Sequence, residues 1–371
     1  MTARPIATAQ ILVGIAAAMG LLYFLSGILI PLVIAFVLVV LVDAVVGFID
    51  RRWPKAPRWV VSLLAGLTVI ISASGGIFVL AQGAVQMVDQ WPALVARLES
   101  LVQAVGAAVG YPQPLHLNSL VGQISLPRIA GAVLATAQGV AGAVLLIVVY
   151  FGFMVAGRRR IGRKIDAVAG SLGRRRALKG IIDRIASDLR TYLWVQTITG
   201  AMLAAASAGV MLAVGLDNVL FWTVVLFLLS FIPTIGVTVG SIAPALFALL
   251  QFTTPWPAVA IFGGIQVVAV IIGNLIYPRM QADTQNIDPV TTLLALSFWT
   301  LLWGIPGAFL AVPMTLMLMM VFAQFDGTKW VAALLSNDGR PDFRIASAKD
   351  RPKQLSGLRS AAERPAHPEH Q

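Results

Sequence analysis

From Asn218 to Pro278 the chain carries no Asp, Glu, Lys or Arg, yet Pro233, Pro244, Pro255 and Pro257 and several glycines interrupt it. The run is about three times the roughly 20 residues that cross a bilayer. A plain anchor needs no such breakers. Proline removes an amide donor and glycine permits turns, and backbone groups freed in this way must find partners inside hydrocarbon, so the pattern predicts bent or broken helices packed within a larger bundle. Broken helices of this kind are characteristic of transport paths. The rest of the chain agrees. Of 371 residues, 58% are hydrophobic and 12% charged, too few charges to cover a soluble globule of this size. The expected fold class is all-α: a polytopic transmembrane helical bundle with two interrupted, re-entrant-like hairpins and a small extracytoplasmic helical insert.

Charge and composition exclude several function classes. The net charge of +11 invites a nucleic-acid reading, but the basic residues cluster beside apolar spans with few aromatics among them, which suits membrane orientation instead. There is no cysteine, so disulfide frameworks, thiolate catalysis and cysteine metal sites are excluded. His116 falls in a polar insert and His367 and His370 in the tail; no metal or other cofactor is expected. No HExxH, membrane Ser with His, pair of buried acids or P-loop occurs, so the chain is not expected to be an enzyme or to use ATP directly.

The order of charges predicts the topology. Residues 5–42 are uncharged, and Gly27 and Pro31 divide them into spans near 8–27 and 29–49. The first stretch resembles a signal peptide but lacks a small-x-small cleavage site, so it is read as a retained helix. Arg51, Arg52, Lys55 and Arg58 then mark the cytoplasmic side, and a third span at 59–81 leaves it. Residues 82–135 form the extracytoplasmic insert. In it Val85, Val88, Trp91, Leu94, Leu98, Leu101 and Val105 make an amphipathic stripe, ended by Pro112 and Pro114. A fourth span at 137–156 returns to a basic linker, 157–192, and a fifth at 193–215 leaves again. The segment 193–326 reads as a transport core and 327–371 as a largely disordered cytoplasmic tail, so both termini are expected in the cytoplasm of a bacterial inner-membrane protein.

Two blocks within the core look alike. Residues 219–232 form a short apolar arm before Ile232-Pro233-Thr234-Ile235-Gly236, and a second arm containing Pro244 follows. Residues 290–303 precede Gly304-Ile305-Pro306-Gly307 and an arm containing Pro313. One ordinary span, 258–277, separates them, so span plus hairpin repeats in inverted orientation, a plan of secondary transporters. The alternative is that all arms cross as tilted helices.

At these motifs the chain resembles the autoinducer-2 exporter family of bacterial inner-membrane proteins. The segments FIPTIGVTVGSIAPALFALL at 231–250, GNLIYPRM at 273–280 and DPVTTLLALSFWTLLWGIPGAFLAVPMTL at 288–316 carry the likeness, with Pro289, Trp303, Gly304, Gly307 and Ala311-Val312-Pro313 in the family's order. The resemblance implies a multi-span permease that moves a small polar solute outward, working as a homo-oligomer in the lipid bilayer, with no nucleic-acid partner. The chain departs from the pattern at Ile272, where many relatives carry Glu, and at Ala282, where glycine is typical.

These readings give candidate residues. Pro233, Thr234, Gly236, Gln266, Asn274, Gly304, Pro306 and Gly307 are candidates for the substrate pathway, because hairpin tips expose backbone groups. Asp43, Arg279 and Asp283 are candidates for coupling or gating. Gln196, Thr197 and Thr199 suit either interhelical hydrogen bonds or pathway lining, and Asp217 and Asn218 suit a helix cap. The main reading is gradient-driven export; a non-transporting scaffold and a passive channel are the alternatives.

Overall fold

The computed structural model describes residues 3–52, 58–108, 142–157, 167, 172–233, 235–281 and 287–339. They are helical throughout, with no strand among them. In chain order the helices are α1 Ala3–Phe24, α2 Ser26–Arg52, α3 Arg58–Ala108, α4 Gly142–Gly157, α5 Leu172–Val214, α6 Val219–Leu229, α7 Ile235–Gln251, α8 Trp256–Ile271, α9 Pro289–Phe322 and α10 Lys329–Leu335. The π-turn Ile272–Ile276 and the short helix Tyr277–Gln281 extend α8. Segments of α2, α3, α5 and α8 are long and apolar enough to cross a membrane, and α9 reaches that length only across its interruption at Gly304. Large apolar side chains such as Phe24, Phe153 and Leu301 face outward, the inverse of a water-soluble surface.

Several boundaries differ from the sequence reading. The break between the first two helices falls at Leu25, and Pro31 lies inside α2. The third span and the start of the insert are one helix of 51 residues, roughly 75 Å at 1.5 Å per residue. The expected boundary at residue 81 therefore falls inside continuous helix, because Gly83 and Pro92 do not break it. Pro112 and Pro114 lie outside the described residues. The second half of the basic linker is likewise the first part of α5. The start of the expected tail is ordered: α10 docks against the base of α9, burying Ala332, and the Asp288 amide donates to the Leu335 carbonyl at 3.4 Å.

The projecting half of α3 packs on its own bundle. Met87 and Leu94 join the core cluster of Trp222, Phe247 and Ile261, and Gly83 lets Phe221 approach. Arg97 Nη2 donates to the carbonyls of Phe252, 3.3 Å, and Thr253, 2.9 Å. These carbonyls follow the C-terminus of α7, where acceptors lack helical partners and a cation is favoured. Arg97→Ala is expected to lower stability by about 1.5–3 kcal/mol in detergent, the worth of charged hydrogen bonds. Arg97→Lys should recover only part of this loss, since it lacks the two-pronged fork; thermal unfolding of the three proteins checks the order.

Both expected hairpins are present. In the first, α6 and α7 pack against each other across a turn at 230–234, and each is too short to cross a bilayer comfortably. Gln251 closes its base: Oε1 accepts from the Asp217 amide at 2.9 Å and Nε2 donates to the Gly215 carbonyl at 3.0 Å. Asn218 occupies the N-cap position of α6 with φ 56°, but its side chain makes no capping bond. The second hairpin is α9, reversed at a single non-helical residue, Gly304, with φ 63° and ψ −141°. That region is essentially reserved for glycine. The arms are joined by Trp299 Nε1, which donates to Thr315 Oγ1 at 3.1 Å within the protein.

The two hairpins lie in opposite senses along α5. The base of the first clusters with Met211 and Leu216 at the C-terminal end of α5. The base of the second, Leu316, Met319 and Met320, clusters with Leu189, Tyr192 and Leu193 nearer its N-terminal end. At the far end of the second hairpin, Trp303 Nε1 donates to the Leu22 carbonyl of α1 at 3.0 Å. The tip of the first hairpin consequently meets α5 near Gln196 and lies beside the base of the second.

Candidate functional site

That junction holds a half-open pocket, here called the cavity, of about 440 Å³. Its walls come from four places. α5 supplies Tyr192, Gln196, Thr199, Gly200 and Leu203; the first hairpin supplies Ser230, Pro233 and Val237; the α8 end supplies Ala269, Ile272, Gly273 and Tyr277; the base of the second hairpin supplies Pro289, Thr292, Leu293 and Val312, beside Ile287. None of these side chains is formally charged. The spacing of Tyr192, Gln196, Thr199 and Leu203 by four, three and four places them on one helical face.

Hydrogen bonds fix the polar groups. Gln196 Nε2 donates to the Ser230 carbonyl at 2.6 Å, tying α5 to the first hairpin. Ser230 Oγ donates to the Phe227 carbonyl at 2.7 Å and Thr199 Oγ1 to the Val195 carbonyl at 2.8 Å. Thr292 Oγ1 donates to the Asp288 carbonyl at 3.2 Å. Asp288 also caps α9, its Oδ2 accepting from the amides of Val290 and Thr291 at 2.8 and 3.2 Å, with Pro289 at the first helical position. Gly200 has no side chain to displace the Ser230 hydroxyl.

The wall from α8 contains the π-turn, Ile272–Ile276. Such turns carry an extra residue, bulge the helix and recur at functional sites. Ile272 stands at its start, buried and against the cavity.

The profile of the AI-2E family transporters matches residues 12–326, which takes in every cavity residue. The chain belongs to the AI-2E transporter family. Among its AI-2E relatives, YhhT of Escherichia coli K12 is 25% identical over 86% of this chain and 91% of its own length. The AI-2 transport protein TqsA of the same strain is 24% identical over 85% of this chain and 91% of its own. YueF of Bacillus subtilis is 25% identical over 78% and 82%. An AI-2E transporter with these apolar helices is a multi-pass membrane protein with a permease role, and its family is one of transporters rather than enzymes.

The residues singled out from the sequence of this AI-2E transporter scatter. Pro233 lines the cavity. Thr234 and Asp283 lie outside the described residues, as does Ala282. Gly236 and Gly307 are buried, each where a Cβ would strike a carbonyl of the opposing arm, Leu229 and Trp299 respectively. Gly304 and Pro306 stand at the far tip of α9; Gln266 is half-buried on α8, and Asn274 is exposed at the π-turn. Asp43 is half-buried on α2 and Arg279 exposed beyond the π-turn. The cavity residues absent from that set, Tyr192, Ser230, Tyr277 and Thr292, leave one signal in the sequence: the four-three-four polar stripe on α5 that includes Tyr192, Gln196 and Thr199.

Proposed function

We propose that this protein is a secondary transporter that exports a small polar solute through the cavity between its two opposed hairpins. The observation that carries this reading is a cavity of about 440 Å³ walled by both hairpins and by the spans preceding them, α5 and α8. This volume lies in the range of small-molecule sites. Discontinuous helices meeting at a mostly apolar pocket that carries a few hydrogen-bonding side chains, Gln196, Thr199, Ser230 and Thr292 among them, provide the arrangement in which one hairpin can move against the other around a fixed site. TqsA, by its name, transports AI-2; that solute is one candidate cargo here. The proposal places both termini in the cytoplasm and the protomers in a homo-oligomer.

The reading is tested with purified protein in liposomes, loaded with a panel of labelled polar solutes and given an imposed proton or sodium gradient. Expected is solute efflux that accelerates with the gradient and falls to the protein-free rate when the gradient is collapsed. Gradient-independent flux would make the protein a passive channel. No flux of any solute from correctly folded protein would overturn the transport reading.

A further inference from the structure

Among the described residues, five buried side-chain atoms able to hydrogen-bond meet no partner: Arg97 Nε, Asp188 Oδ2, Ser207 Oγ, Asn218 Nδ2 and Trp222 Nε1. Arg97 already spends Nη2 on two carbonyls. The other four follow the cavity. Asp188 lies one helical turn before Tyr192 on α5, and Ser207 one turn after Leu203, so both continue the cavity-lining face beyond its two ends. One turn past Ser207 is Met211, which packs with Trp222. Asn218 precedes Trp222 by one turn, at the base of the first hairpin.

Between the cavity and that base the protein is closed. Met211, Leu226, Ile261 and Ile265, from α5, α6 and α8, are fully buried in one cluster with Trp222. Ser207 is shut off from the surface as completely. Packing does not call for these polar groups: an unmet buried hydroxyl or N–H costs free energy, and an apolar side chain of similar size fills the space without that cost. Groups left unmet while the cluster is closed gain partners when water or a polar solute passes them. The first hairpin can supply the movement, since neither of its arms is long enough for a full crossing. We propose that Met211, Leu226, Ile261 and Ile265 form the outer gate of the transporter, closed in this structure, and that the exit path leaves the cavity past Ser207 and Trp222 to emerge at Asn218. This rests on the transport reading and topology above, and adds where the solute leaves.

The test places Ser207→Cys or Ser241→Cys in the full chain, which has no cysteine of its own, and treats right-side-out membrane vesicles with a membrane-impermeant cationic methanethiosulfonate. Ser241 is as deeply buried, but its hydroxyl donates to the Thr238 carbonyl at 2.9 Å and it lies on α7, off the proposed path. Expected is labelling of Ser207→Cys at least about tenfold faster than Ser241→Cys, the ratio given by an opening about 1.4 kcal/mol easier. Equal rates overturn the gate. Ser207→Ala should unfold at or above the parent's midpoint, because it deletes an unmet hydroxyl. A lower midpoint means that the hydroxyl is satisfied in the closed protein, and likewise overturns the gate. Solute efflux in the liposome panel with Ser207→Cys unreactive leaves transport standing without this exit. Reactive Ser207→Cys with no efflux of any solute keeps the opening and removes the transport.

Discussion

Replacing Gly307 with valine is expected to cost about 3 kcal/mol or more, the upper end of overpacking penalties, because the obstacle is a backbone carbonyl and cannot swing aside. A Cβ at Gly307 would meet the Trp299 carbonyl, and the same α9 arm is held by Trp299 Nε1 on Thr315. The arms would have to part, and the paired indoles of Trp299 and Trp303, 5.2 Å apart, would lose their packing. Gly236→Val should behave alike, since its Cβ would meet the Leu229 carbonyl in the first hairpin. Gly209→Ala, facing open space on α5, should be near neutral or slightly stabilising, since alanine is the better helix former. Thermal unfolding of the three variants in one detergent checks this. Equal midpoints for Gly307→Val and the parent would mean that the arms are not in contact in the folded protein.

The equivalence of Gly236 and Gly307 also shows what the sequence carried. Each lies a few residues past its Ile-Pro pair or turn glycine, and each is where the second arm crosses the first. Proline and glycine announce breaks through covalent geometry, so both hairpins, and the interruption at Gly304, could be read directly. The sequence suggested exposed backbone at Gly236 and Gly307, whereas each marks a close approach of two helical arms. The length of α3 was hidden because uncharged runs reveal where lipid begins and not where a helix ends. The π-turn has no residue signature, and Ile272 at its start lines the cavity. Where the first tip lands against α5 is a tertiary fact. It depends on Gln196 reaching Ser230 and on Gly200 leaving room, pairs separated by about thirty residues.

The cavity at the tip of the first hairpin should therefore control flux, and Ser230 gives the sharpest probe. The chain has no cysteine of its own, so Ser230→Cys would carry a single thiol at the cavity wall with almost unchanged volume. Its Oγ is not buried among unsatisfied groups, and its hydrogen bond stays within its own turn, so loss of that bond should cost only about 1 kcal/mol. Flux before labelling should remain close to the parent. Alkylation with a maleimide would then place a bulky adduct between Gln196 and Pro233 and fill much of the 440 Å³. Inhibition should exceed roughly twentyfold, because a space filled by covalent bulk cannot be recovered by mass action. Saturating transported solute should slow the labelling, by occupying the same space. Ser297→Cys, exposed on the second hairpin and away from the cavity wall, should be labelled without loss of flux. If labelled Ser230→Cys transports as well as unlabelled protein, the solute does not pass between the hairpins, and the pathway has to be sought elsewhere in the bundle.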